Sequence, residues 1–102
     1  DNRQLDEAKK LLEHALALRP DDPAILDSIG WLLFRSGNNE EAVLRLKRSY
    51  TLQPDDEVAA HLGEVLWLTG QQAEAKKIWE QGLKLAPESE AISATRQRLH
   101  AQ

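Results

Sequence analysis

The chain has 102 residues, with 13 Lys plus Arg against 17 Asp plus Glu, a net charge of -4 and no cysteine. That length can bury about 60 to 70% of the unfolded surface in one domain, while the acidic balance offers no electrostatic hold on nucleic acid or on an anionic membrane surface. Disulfides and thiolate chemistry are excluded, and no apolar run approaches the ~18 residues that cross a bilayer, so membrane insertion by this segment is not expected.

The first segment places Leu5, Ala8, Leu12, Ala15 and Leu16 at spacings of three and four, a helical stripe that Pro20 terminates. Asp22 is placed to cap a second helix whose first turn takes Pro23, where the missing N–H costs nothing, and which runs to about Ser36. Ser36-Gly37-Asn38-Asn39 is a short turn: glycine supplies a left-handed residue after the helix end, and asparagine is expected to cap a third helix, Asn39 to Leu52. Asp55 and Asp56 open a fourth helix to Thr69, Gly70 turns the chain, and a fifth runs from Gln72 to Leu85. A last helix covers Glu88 to about His100. Six helices joined by two to four residues leave no room for strands and force neighbours antiparallel.

Shifted by 33 residues, the chain matches its own punctuation: Gly63 falls on Gly30, Gly70 on Gly37, Ala75 on Ala42 and Pro87 on Pro54. A third, partial copy is offset by 34 and sets Ala8 on Ala42, Leu12 on Leu46 and Pro20 on Pro54. The chain is therefore expected to begin inside a repeat and to be a piece of a longer protein. Glycine inside a helix costs about 1 kcal/mol relative to alanine, so Gly30 and Gly63 are expected to admit a close approach by Ala42 and Ala75. Ala15, Ser49 and Gly82 are the small residues where one hairpin would nest on the next.

These positions resemble the tetratricopeptide repeat. Leu26, Ile29, Gly30, Leu33, Ala42, Leu46 and Pro54 supply one unit, and Ala59, Leu62, Gly63, Leu66, Ala75, Trp79 and Pro87 a second, with most motif aromatics replaced by aliphatics. The resemblance implies an all-α, right-handed solenoid of about six antiparallel helices. Residues 1–21 are then the second helix of a truncated repeat, 22–54 and 55–87 are repeats, and 88–102 is a capping helix. In that last segment Ile92, Thr95 and Leu99 keep the register, but Arg96 stands where the glycine would be. The strings DSIGWLLFRSGNNEEA and EVAAHLGEVLWLTGQQAEAKKIWEQGL, with the trailing TRQRL, resemble the C-terminal end of exported or outer-membrane tetratricopeptide lipoproteins of bacteria. That narrower likeness implies a periplasmic protein or one anchored to the outer membrane through an N-terminal region outside this chain, and otherwise a cytoplasmic one. It also implies an adaptor role toward envelope proteases or cell-wall enzymes.

In this family the first helix of each hairpin lines a concave groove, so its outward positions are the binding candidates: Asp27, Trp31, Phe34 and Arg35, then Glu57, Ala60, His61, Glu64, Trp67 and Leu68. Trp31 and Trp67 stand out because large rings on a groove wall are enriched in binding hot spots; the alternative is that they fill gaps between hairpins. Trp79 occupies the motif's large apolar site and belongs to the core, and Tyr50 belongs to the convex side or an interhelical seam. The family's carboxylate-clamp subgroup grips a peptide terminus with Lys and Asn, but here Asp27, Trp31, His61 and Glu64 occupy that wall. An apolar or mildly basic segment, docked as a helix or an extended peptide, suits them better.

Chemistry beyond binding has little support. His61 and Glu64 are three apart on one helix, but a structural metal site wants about four ligands, and His14 and His100 have no ligand at a suitable spacing. Ser28, Ser36 and Ser49 have no nearby His and acid, and isolated glycines make no phosphate loop. No catalytic residue, metal or cofactor is expected. Glu40, Glu41, Arg45, Lys47, Arg48, Lys76 and Lys77 mix signs at helical spacing, as solvated faces do. The expected function is a non-catalytic module that binds a protein or peptide in its groove. The alternative is an end-cap of a longer solenoid that self-associates, forming a homodimer through Leu5, Leu12 and Leu16 of the N-terminal helix, which lack an upstream helix to cover them.

Overall fold

The structure, a computed structural model, describes residues 2–101. Among them are six helices and no strand: α1 (Asn2–Leu18), α2 (Pro23–Arg35), α3 (Asn39–Leu52), α4 (Asp56–Leu68), α5 (Gln72–Leu85) and α6 (Glu90–Arg98). The all-α helical-repeat fold expected from the sequence is the one observed. The chain divides into two compact units, Asp1–Gln53 with α1 to α3 and Pro54–Gln102 with α4 to α6.

Two aspartates start the first helices as expected. Asp22 Oδ1 accepts from Ala24 N at 2.9 Å and Ile25 N at 3.2 Å, and Asp55 Oδ1 accepts from Glu57 N at 2.7 Å and Val58 N at 3.2 Å. Each satisfies two of the backbone donors that a helix start leaves open. The asparagine cap expected for α3 does not form: Asn38 occupies the N-cap position, but its side chain makes no cap bond. Its backbone N–H closes the preceding helix, while its carbonyl accepts from Ala42 N of α3 at 3.1 Å. Gly37 sits at φ +89°, and Asn38 N closes back on Leu33 O at 2.8 Å; Gly70 at φ +90° and Gln71 N on Leu66 O at 2.8 Å repeat the device. Asn38, at φ -93° and ψ 73°, departs from the extended backbone that Asp22 and Asp55 adopt at their caps.

The same closure ends α6 earlier than expected. Ala101 N donates to Arg96 O at 2.8 Å with His100 at φ 56°, so the helix stops at Arg98 even though histidine has no glycine-like freedom there. At its other end the helix starts at Glu90 rather than at Glu88, and Ser89 caps it: its hydroxyl accepts from Ile92 N at 3.2 Å and donates to Asp56 Oδ2 of α4 at 2.5 Å.

In the first unit, Leu26, Ile29 and Leu33 of α2 and Ala42 and Leu46 of α3 are buried. Removing each leucine from water contributes about 1.5 to 3 kcal/mol. A methyl group added at Gly30 would lie 2.7 Å from Leu46 Cγ and 3.3 Å from Ala42 O, so the close approach expected of Ala42 is made chiefly by Leu46. Ser49 is fully buried and donates to Pro23 O at 2.7 Å, tying the last turn of α3 to the first of α2. Helix α1 packs on α2, and Arg45 of α3 reaches back to Glu13 of α1 at 3.3 Å as well as to Glu41 at 3.5 Å.

In the second unit, Leu62 and Leu66 of α4, Ala75 and Trp79 of α5 and Ile92 of α6 are buried. Here the expectation for Gly63 fails more clearly. A Cβ on it would meet the Trp79 indole, at 2.0 Å from Nε1 and 2.4 Å from Cε2, and Ala75 is not among its nearest neighbours. The glycine makes room for a ring two turns along the returning helix. Gly82 nests as expected, with Ile92 of α6 on one side and Ala59 of α4 on the other.

Candidate functional site

On α2, the apolar stripe that enters the core leaves Asp27, Trp31 and Phe34 half-buried and Arg35 exposed. The rings of Trp31 and Phe34, three residues apart on one face, meet with centroids 5.3 Å apart and planes inclined at 42°. Such tilted pairing suits the charge distribution of aromatic faces and edges. The α2 wall therefore presents two large rings held in register by each other, with a cation one residue beyond.

On α4, Glu57 and Leu68 are exposed, His61 and Trp67 half-buried. Leu68 keeps 53% of its surface open to solvent. Trp67 lies against Trp79 of its own hairpin, centroids 5.8 Å apart, with Lys76 Nζ 5.9 Å from its ring centre. It thus covers the core tryptophan and shows its outer surface. Trp79 is fully buried, as expected of the motif's large site, and its Nε1 has no hydrogen-bond partner among the described residues. The Arg96 guanidinium stands 5.9 Å from the Trp79 ring. The arginine that replaces a motif glycine therefore faces the aromatic ring that another glycine admits.

Two of the ten expected wall residues are buried. Ala60 retains 2% of its surface and Glu64 6%. Ala60 is small and lies between the buried positions Ala59 and Leu62. Glu64 is buried because it is paired: Arg98, the last residue of α6, donates from Nη1 to Oε2 at 3.0 Å and from Nη2 to Oε1 at 2.5 Å. Both carboxylate oxygens are engaged by one planar fork, the strongest geometry available to such a pair. The carboxylate in turn holds the Arg98 guanidinium above its ordinary value, first through those hydrogen bonds and then through its charge. Among the described residues no group of three or more His, Cys, Asp or Glu side chains is placed to hold a metal ion.

Arg98 was not among the sequence candidates, and neither was the Ser89–Asp56 contact. Both partners lie about one repeat period away in the chain, 34 residues for Glu64 and Arg98 and 33 for Asp56 and Ser89. A search for complementary side chains at the period, rather than within one helix, would have found them.

The self-association candidates Leu5, Leu12 and Leu16 are half-buried, not bare. The open apolar surface of α1 belongs to Leu11 and Leu18, 72% and 73% exposed. Ser36 and Ser49 direct their hydroxyls at backbone carbonyls, Leu32 and Leu33 for the first and Pro23 for the second. Arg45 and Arg48, expected on a solvated face, bridge to Glu13 and Asp21. Tyr50 is half-buried, and desolvation pushes its phenol above the ordinary 10.0. No helix among the described residues is long and apolar enough to cross a membrane.

Comparison with known proteins agrees with this anatomy. One tetratricopeptide repeat model matches residues 1–49 and a second matches residues 28–90. A TPR repeat-containing protein of Pseudomonas aeruginosa is 52% identical over 58 residues, which is 57% of this chain and 10% of that protein. The matched stretch spans about a tenth of the length of that curated relative. With two helical hairpins, glycines admitting a large side chain from the returning helix, and a matching family model over most of its length, the chain belongs to the tetratricopeptide repeat family.

Proposed function

We propose that the chain captures a partner protein or peptide on the outward faces of α2 and α4, the first helices of its two hairpins. Tetratricopeptide repeats suggest a protein–protein interaction module, in a family that is generally non-catalytic. The observation that carries the reading is the pair of ring-bearing walls. Phe34 and Trp67 occupy equivalent places one period apart, both half-buried, and are followed by exposed Arg35 and Leu68. Large rings with one side packed and the other wet supply contact area at low entropic cost. Glu57 is exposed on α4, and an apolar segment with a few basic residues is the proposed ligand. The proposed setting is the bacterial envelope, periplasmic or tethered to the outer membrane, with an envelope protease or cell-wall enzyme as the kind of partner served.

The test is affinity capture from a bacterial envelope extract with the wild-type chain, with Trp31→Ala, Trp67→Ala as a double variant, and with Lys47→Ala on α3 as a control. Proteins retained by wild type and control but lost from the double variant, at matched helicity, support the reading; identical capture by all three sinks it. A second reading rests on Leu11 and Leu18, whose exposure suits self-association through α1. Sedimentation of the chain from micromolar to millimolar concentration decides it, since a monomer throughout removes this alternative.

A further inference from the structure

The pairing of Glu64 with Arg98 is lopsided. The Glu64 side chain is 8% exposed and the Arg98 side chain 58%. A carboxylate so nearly withdrawn from water needs a cation with matching donors, and both oxygens of this one are met by a side chain whose own bulk lies in solvent. The space that the guanidinium fills therefore opens outward. Removing the arginine beyond Cβ would leave a solvent-connected slot with a buried carboxylate at its base, shaped for a planar fork.

Helix α6 does not depend on this contact for its seat. Its first turn is fixed by Ser89, which caps the helix and bonds to Asp56 at 2.5 Å, and its middle by Ile92, fully buried against Gly82. Arg98 is at the far end, one residue before the chain turns at Leu99 and His100. Its side chain can leave Glu64 while the helix stays in place. From these facts we infer that Glu64 is a guanidinium-binding subsite, filled in cis by Arg98 and surrendered to an arginine side chain of a bound partner. The inference deepens the proposed binding role, because Glu64 lies on α4 between His61 and Trp67, and it assigns that partner an arginine. Lysine would serve poorly, since a single ammonium cannot satisfy both oxygens in one plane.

The test uses Arg98→Ala in the whole chain, with methylguanidinium and methylammonium at equal millimolar concentration and matched ionic strength. Methylguanidinium is expected to raise the melting temperature of Arg98→Ala saturably and more than methylammonium does, with no such difference in wild type. A capped Gly-Arg-Gly peptide, followed by its effect on backbone amide resonances of α4, is expected to bind Arg98→Ala about tenfold more tightly than wild type, where Arg98 competes from the same chain. Glu64→Gln combined with Arg98→Ala removes the buried charge and should fold without either ligand, yet show neither effect. Equal action of the two cations on Arg98→Ala overturns the subsite, as does equal peptide affinity for wild type and variant. The small-molecule arms involve no partner, so they stand or fall separately from the capture experiment on Trp31 and Trp67.

Discussion

The hairpins α2–α3 and α4–α5 share one frame and fill it differently. Both start on an aspartate cap, both turn on a left-handed glycine, and both carry a glycine in mid-helix. Into the first of those glycines comes Leu46, with Cγ 2.7 Å from where a Cβ would sit; into the second comes Trp79, with Nε1 at 2.0 Å. The larger ring also meets Trp67 and Arg96, whereas Leu46 ends in an aliphatic core. The shared positions specify where helices cross, while the volume at the crossing specifies how close they come and what can be stacked outside. An aromatic filling allows the second hairpin to display Trp67 as part of a packed pair; the aliphatic first hairpin must brace Trp31 against Phe34 on its own wall.

Truncating the two fillings should separate the hairpins most. Trp79→Ala is expected to cost about 4 to 5 kcal/mol and Leu46→Ala about 3, since the larger ring leaves the larger cavity. Urea denaturation read by circular dichroism measures both, and equal losses would deny that the fillings differ in weight. Adding a methyl at the crossings is expected to act in the same order. Gly63→Ala should destabilise by about 2 kcal/mol, because a rigid, fully buried indole cannot yield, and Gly30→Ala by about 1 or less, because helix propensity offsets part of the strain. A stabilised Gly63→Ala would contradict the close approach.

The caps should show the smallest effects and the least difference between hairpins. Asp22→Ala and Asp55→Ala are each expected to cost about 1 kcal/mol, and Asn38→Ala close to nothing, because its side chain makes no cap bond. A loss at Asn38 matching those at the aspartates would require a bond that the geometry lacks.

The repeat was legible because its punctuation is local. Pro23 at a helix start, Asp22 and Asp55 as caps, and Gly37 and Gly70 at left-handed turns each act through the backbone within a few residues, so identity and order place them. Contacts between helices were less legible. That Gly63 faces Trp79 rather than Ala75 depends on how far along the returning helix a large ring reaches, which spacing alone leaves open between neighbouring turns. Burial of Glu64 was hidden for a different reason: glutamate at an outward position reads as solvated until a partner 34 residues away covers it. The early stop of α6 was hidden too, since His100 in a left-handed conformation carries no glycine to announce it.

The three tryptophans offer the most direct test of the proposed binding walls, because each indole Nε1–H gives one resolved signal in a nitrogen–proton correlation spectrum. Titrating the labelled chain with a captured partner should shift the Trp31 and Trp67 signals saturably and move that of buried Trp79 least. Saturable binding, seen in other resonances, that leaves the Trp31 and Trp67 indoles unmoved would contradict the account.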